Sequence, residues 1–312
     1  MKKVGVVFPG QGSQYVGMGR KLYEQFDEVK ELFAVADRVL GFSLKDLIFD
    51  GPEEELRQTY NTQPALVLVG YAVWTTLKTA TNLAPFLVAG HSLGEYSALL
   101  ASGYLNFEDA IKITRKRGVF MEESCPKGKC GMVALIGANI SRIDPVLKEI
   151  SHDDYVAVPA NLNSAEQVVL SGNVSALKEA VEKLKGTGYK KAVFLNVSGP
   201  FHSPLMKGAA ERLREELMHI AFGDMTVPVV SNVDATPEQD KGAMADKLYR
   251  QMFSPVRWES CVRKMAEEGV ECFLEVGPQK VLSNLIKRIE PSIPCYNVEE
   301  LEDIETLKGV LK

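Results

Sequence analysis

The chain has 312 residues, 46% hydrophobic and 25% charged, enough for a sizeable core in one large domain or in a domain carrying an insertion. A formal net charge of −5 excludes a general nucleic-acid binder, and no segment has the apolar length of a membrane span. Five cysteines, an odd number without metal-ligand spacing, read as reduced thiols of a cytoplasmic enzyme.

Residues 4–8 form an apolar run bounded by Pro9-Gly10 and read as a buried strand. The run stops too early for the apolar region of a signal peptide. The glycine-rich loop of residues 9–19 fails the dinucleotide fingerprint, because Tyr15 stands where the third glycine belongs, and it lacks the Gly-Lys-Ser/Thr of a P-loop. A loop after the first strand of an α/β sheet still lies at the strands' carboxyl edge, where ligands bind. Helical patterns follow at residues 23–40, from residue 53 onward, and at 64–79.

Residues 86–89 are a four-residue apolar strand, and Glu95 opens a helix that Gly103 ends. Between them stands Gly90-His91-Ser92-Leu93-Gly94, the Gly-x-Ser-x-Gly of a nucleophile elbow. A strand turning directly into a helix leaves room only for small residues two places either side of the serine. The turn lifts the Ser92 hydroxyl beside the free N–H groups of a helix N-terminus, which can stabilise an oxyanion. Ser92 is the candidate nucleophile; a plain helix cap is the alternative. Residues 107–124 form an amphipathic helix whose apolar face carries Ala110, Ile113, Phe120 and Met121, with Arg117 on that same face. A buried arginine needs a partner, so Arg117 is either half of a structural ion pair or an anion receptor.

From residue 131 the order becomes strand (132–136), helix (144–150), strands (155–159 and 168–171), helix (176–184), strand (192–197). This β-α-β-β-α-β order is a ferredoxin-like unit, expected as an insert hinged at residues 126–129 and 198–200. His202 then lies on a loop just before a helix start, with Ser203 and Pro204 as cap and first turn. Of four histidines it is the one free to approach another loop as general base. Residues 227–233 and 272–276 read as further strands, and 241–252, 260–268, 281–289 and 304–311 as helices. The expected architecture is α/β: a large α/β-hydrolase-like domain (residues 1–128 and 199–312) with a mostly parallel sheet, and a small ferredoxin-like βαββαβ subdomain (129–198).

Phe8-Pro9-Gly10-Gln11-Gly12-Ser13-Gln14, Gly90 to Glu95, Asn161-Leu162-Asn163-Ser164, Phe201-His202 and Glu275-Val276-Gly277-Pro278 occur in one order along the chain. Together they resemble the malonyl-CoA:acyl carrier protein transacylases, from Phe8 to beyond Arg288. The resemblance implies that Ser92 takes the malonyl group from malonyl-CoA, with His202 as base. It implies that the acyl group then passes to the phosphopantetheine thiol of acyl carrier protein in a ping-pong cycle supplying fatty acid synthesis. It further implies an oxyanion hole from the backbone N–H groups of Gln11 and Leu93. Arg117 would grip the malonyl carboxylate, and Asn163 and Gln11 would be polar linings. In the family a backbone carbonyl orients the histidine, and Gln251 stands at that position. In related polyketide acyltransferases a Phe before the histidine accompanies malonyl rather than methylmalonyl selection, and here it is Phe201. No cofactor or metal is implied, and no nucleic acid or membrane partner. Lys190-Lys191 and Lys287-Arg288 are candidate docking charges for the acidic carrier protein. A serine hydrolase would share the elbow, and a non-catalytic carrier-docking module is a further alternative; Arg117 and the Gln11 loop weigh against the first, and intact Ser92, His202 and Arg117 against the second.

Overall fold

In the computed structural model, which describes residues 2–186, 189–197 and 199–307, the first strand β1 (Val4–Phe8) is buried on both faces. Alternate side chains of a strand point to opposite faces, and here Val6 enters one hydrophobic core while Val7 enters another. Such continuous apolar runs mark a sheet covered by helices on both sides. The long helix Thr59–Thr81, buried almost all round at its first four turns, packs against the helix Phe107–Glu123 and contributes much of the larger core.

The remaining strands are β2 (Leu87–Gly90), β3 (Cys130–Ile136), β4 (Ala157–Ser164), β5 (Gln167–Asn173), β6 (Lys191–Phe194), β7 (Val229–Val230), β8 (Pro237–Glu238), β9 (Cys272–Val276) and β10 (Cys295–Val298). Six of them form one sheet in the order β10-β9-β1-β2-β7-β8, parallel throughout except for the β7–β8 hairpin. The other four form an antiparallel sheet in the order β4-β5-β3-β6, backed by helices Ile140–Ile150 and Val174–Lys183 over a core of Val133, Leu135, Leu170 and Leu177. The chain is thus an α/β protein with a mostly parallel sheet and a small βαββαβ unit.

Several element boundaries differ from the sequence reading. The helical stretch at 23–40 is two helices, Arg20–Gln25 and Asp27–Leu40, broken at Phe26, whose backbone is extended. The strand expected at 155–159 runs instead as Ala157–Ser164 and carries Asn161 and Asn163. Backbone bonds from Leu162 N–H to Val256 O and from Val256 N–H to Ala160 O tether it to the large sheet's side of the molecule. The strand expected at 227–233 ends at Val230. The expected hinge at 198–200 and the helix end at 308–311 include residues outside those described. The reduced-thiol reading is corrected: Cys125 and Cys130 form a disulfide, because the turn closed by Lys129 N–H to Pro126 O brings their Cα atoms to 6.2 Å. Cys261, Cys272 and Cys295 are free thiols.

The strand-to-helix turn after β2 works only with glycine at both ends. A Cβ on Gly90 would lie 1.9 Å from the Gly94 backbone, and one on Gly94 would lie 2.1 Å from the Phe8 carbonyl oxygen. Gly94→Ala must therefore push the turn away from β1. The expected result is a stability loss of about 1–3 kcal/mol, read from the urea midpoint, together with loss of reactivity at Ser92.

Candidate active site

Four loops leave the carboxyl ends of the parallel strands side by side: residues 9–19 after β1, the turn after β2, Ser231 and Asn232 after β7, and Gly277 after β9. This is the edge at which open α/β sheets bind ligands. Ser92 sits at the tip of the second loop with φ +50°, the left-handed conformation that the central residue of such an elbow adopts. Its backbone is held from both sides. The Ser92 N–H donates to Asn232 Oδ1 at 2.7 Å, and its carbonyl accepts from Gln251 Nε2 at 3.0 Å.

His202, also in the left-handed region at φ +59°, is buried, and its Nε2 lies 2.7 Å from Ser92 Oγ. Its Nδ1 lies 2.8 Å from the Gln251 backbone carbonyl oxygen. A carbonyl only accepts, so Nδ1 carries the proton and Nε2 is left to accept from the serine hydroxyl. Among the described residues no acid stands behind this histidine; a peptide carbonyl sets its tautomer instead. Burial lowers the His202 pKa to about 3, helped by the nearby charge of Arg117.

Arg117 comes from the middle of the helix Phe107–Glu123 and is 1% exposed. Among the described residues no carboxylate lies within ion-pair distance of it. Its Nη1 donates to Gln63 Oε1 and its Nη2 to Gln251 Oε1, each at 2.9 Å, and Nη2 also reaches Ser92 Oγ at 3.3 Å. Among the described residues its Nε has no hydrogen-bond partner, and its guanidinium stands 5.4 Å from the centre of the Tyr96 ring. Desolvation pulls its pKa down, and the nearby Glu95 charge, which is not directly paired with it, opposes that shift.

These groups surround a cavity of about 100 Å³ lined by Gln11, Ser92, Arg117, Met121, Phe201 and His202. It adjoins a cleft of about 410 Å³ bordered by Asn161, Asn163, Gln167, Asn284 and Arg288. Phe201 is 5% exposed in the cavity wall. Asn163 Oδ1 accepts from His91 Nε2 at 2.8 Å, so His91 faces away from the serine hydroxyl and its burial lowers its pKa. The backbone N–H groups of Gln11 and Leu93 donate to no described residue, and both residues line the cavity. Among the described residues no group of three or more His, Cys, Asp or Glu side chains could hold a metal ion.

Three members of the constellation escaped the sequence reading. Gln63 lies inside a long apolar helix, Glu95 closes the elbow motif, and Asn232 follows a strand of two residues. Glu95 Oε2 accepts from Gln251 Nε2 at 2.5 Å, and Oε1 from the Asn232 N–H at 3.3 Å. The only available signals were the position of Asn232 near a strand's carboxyl end and of Glu95 beside the nucleophile.

The family model described as "Acyl transferase domain" matches residues 6–305. The chain is 45% identical over 312 residues to the malonyl CoA-acyl carrier protein transacylase of Bacillus subtilis, covering 100% of this chain and 98% of that protein. An acyl carrier protein S-malonyltransferase from Vibrio cholerae superposes with a TM-score of 0.95 at 42% identity, covering 98% of this chain and 99% of that one. A malonyl-transacylase in complex with a type II PKS acyl-carrier protein gives a TM-score of 0.95 at 41% identity, covering 99% of both chains.

The depressed pKa of His202 has a measurable consequence. Between its ordinary value and about 3 the folded chain refuses a proton that the unfolded chain accepts, so His202 subtracts from stability as pH falls through that window but stays neutral. Sulfonylation of Ser92 by phenylmethylsulfonyl fluoride is expected to keep at least about half of its rate on going from about pH 7.5 to about pH 5.5. A histidine titrating near 6.5 would leave about a tenth, and that result would contradict the assignment.

Proposed function

We infer that this chain, which belongs to the acyl transferase domain family, transfers the malonyl group of malonyl-CoA to the phosphopantetheine thiol of acyl carrier protein, supplying fatty acid synthesis. The observation that carries the choice of acyl group is Arg117, a buried cation with no carboxylate partner, 3.3 Å from the serine that would hold the acyl group.

The reaction follows from the geometry in two symmetrical halves. Ser92 Oγ attacks the thioester carbonyl carbon as its proton passes to His202 Nε2, 2.7 Å away. The tetrahedral oxyanion turns to the backbone N–H groups of Gln11 and Leu93. Collapse breaks the carbon–sulfur bond, and the imidazolium returns its proton to the departing CoA thiolate. The carrier protein's thiol then attacks malonyl-Ser92, giving its proton to His202, and Ser92 takes that proton back as it leaves. The Gln251 carbonyl holds the imidazole through both halves by accepting a hydrogen bond from Nδ1–H, which keeps its proton throughout.

Arg117 acts on the rate as well as on binding. Its charge is the second cause of the low basicity of His202, after burial. A malonyl carboxylate paired with the guanidinium offsets that charge and makes the imidazolium easier to form. An acetyl group leaves the charge uncompensated. Selection is thus electrostatic at the moment of attack, and Phe201 adds shape, its ring filling space that an α-methyl group would need.

The 410 Å³ cleft leads from the serine past Asn161, Asn163 and Gln167, amides suited to the peptide-like pantetheine arm that CoA and the carrier protein share. Arg288 borders it, and Lys190 and Lys191 stand exposed at the start of β6, an edge strand of the small sheet. We place the acidic carrier protein over this mouth, with residues 129–198 as the small subdomain on one side and residues 1–128 and 199–312 as the catalytic domain. A cytoplasmic location is part of this proposal, in keeping with an enzyme whose partners are CoA and a carrier protein.

Brief mixing with malonyl-CoA is expected to leave a malonyl adduct on Ser92, located by peptide mass spectrometry, and none in a folded Ser92→Ala variant. An adduct elsewhere, or transfer without one, would remove the covalent path. Arg117→Ala separates receptor from structural support. As a receptor, its loss should lower malonyl-over-acetyl preference in kcat/KM by roughly 30-fold or more. As a support, its loss would lower Tm and slow both thioesters alike.

A further inference from the structure

Glu95 takes no part in the transfer as derived, yet it is a carboxylate 1% exposed in the middle of the site. Among the described residues no cation lies within ion-pair distance of it, and desolvation raises its pKa to about 7. A buried carboxyl group outside any ion pair is a cost to the fold that the nearby charge of Arg117 offsets only in part, so what it does for its neighbours matters. Its hydrogen-bonding neighbours are the Gln251 side-chain amide, which donates to Oε2, the Asn232 backbone N–H, which donates to Oε1, and the Ser231 side chain.

Gln251 has one donor end and one acceptor end, and the site uses both. Its Nε2 is taken by Glu95 and by the Ser92 carbonyl; its Oε1 is left to accept from Arg117 Nη2. With the amide turned over, an NH₂ group would face a guanidinium and an oxygen would face a carboxylate, donor against donor and acceptor against acceptor. The other brace of Arg117 is less constrained: Gln63 accepts with Oε1, but its amide nitrogen is anchored only on the weakly accepting Met121 sulfur at 3.3 Å.

We propose that Glu95 is a positioning residue that sets acyl-group selectivity: by holding the donor end of the Gln251 amide it aims the acceptor end at Arg117 and fixes the guanidinium where the acyl carboxylate must meet it. The inference rests on reading Arg117 as the malonyl receptor. The same carboxylate also registers the nucleophile. Asn232, bonded to it through the backbone, takes the Ser92 N–H on Oδ1 and gives an N–H to the Gly90 carbonyl, both at 2.7 Å. Receptor and nucleophile are therefore located against one buried group. Their separation does not depend on the independent placement of a helix and a loop.

The test compares loading of malonyl-CoA and acetyl-CoA, as kcat/KM, in the wild type, Glu95→Gln, Arg117→Ala and the double variant. Glutamine has the shape of glutamate but only one acceptor oxygen for the Gln251 and Asn232 donors, so its NH₂ group opposes the Gln251 amide and turns it against Arg117, or opposes the Asn232 N–H that registers the elbow. Glu95→Gln should lower malonyl-over-acetyl preference about tenfold, and should change it by less than about twofold once Arg117 is alanine, because coupled residues are not additive. An unchanged preference in folded Glu95→Gln, or the same drop in both backgrounds, overturns the proposal. If Arg117→Ala itself keeps the wild-type preference, the receptor reading has failed instead. Should Glu95→Gln not fold, Gln251→Met removes the amide but keeps the backbone carbonyl that holds His202. It is expected to show the same roughly tenfold loss, and retained preference in that variant would equally overturn the proposal.

Discussion

A buried guanidinium that, among the described residues, pairs directly with no carboxylate is the constraint around which this site is arranged. Arg117 spends no hydrogen bond on an anion; Gln63 and Gln251 brace it with neutral amide oxygens, and the face of Tyr96 lies beside it. Neutral braces position a cation without neutralising it. The charge remains available to a ligand and bears on everything near it, including a histidine 2.7 Å beyond the serine it touches. Had an aspartate stood where Gln251 stands, the fold would gain an ion pair and the guanidinium would no longer be open to a ligand's carboxylate.

Gln251 is accordingly the residue through which the site is joined. Its backbone carbonyl fixes the tautomer of His202, its side-chain oxygen holds Arg117, and its side-chain nitrogen reaches both the Ser92 carbonyl and Glu95. It ends the helix Lys241–Gln251, where the last carbonyls of a helix have no partner within it. One such orphan carbonyl becomes the group that orients His202, the proposed general base. This suits reversible acyl transfer between two thiols. The base has to hand the same proton back and forth, and a neutral dipole steers the imidazole without the strong stabilisation of imidazolium that a buried carboxylate would add.

The elbow supplies the other half of the geometry by exclusion. With no Cβ at Gly90 or Gly94, the helix Gly94–Ser102 starts directly against β1 and β2. Ser92 is left in a left-handed conformation that the surroundings must enforce. Asn232 and Gln251 do so by taking the N–H and the carbonyl on either side of that strained backbone.

Much of this was legible in the chain alone. The elbow follows from glycine spacing between an apolar strand and a helix. The small βαββαβ unit follows from the order of strands and helices between residues 131 and 197. Arg117 announced itself as a charge at helical spacing among Ala110, Ile113, Phe120 and Met121. These are local signals, because backbone sterics and helical periodicity act over a few residues. What that arginine was for could not be read locally: whether it met an Asp or a Glu depended on residues 54 and 134 positions away, and both proved to be amides. Asn232 and Glu95 were likewise invisible as partners, since nothing in the sequence brings residue 232 beside residue 95 until β2 and β7 pair. The Cys125–Cys130 bridge was missed because cysteine count and spacing do not report a turn that brings two Cα atoms to 6.2 Å. Sequence determined the elements and the chemical groups on offer. Tertiary structure decided which groups were left unpaired, because pairing in a buried site depends on the directions of donors and acceptors that meet only when distant segments pack.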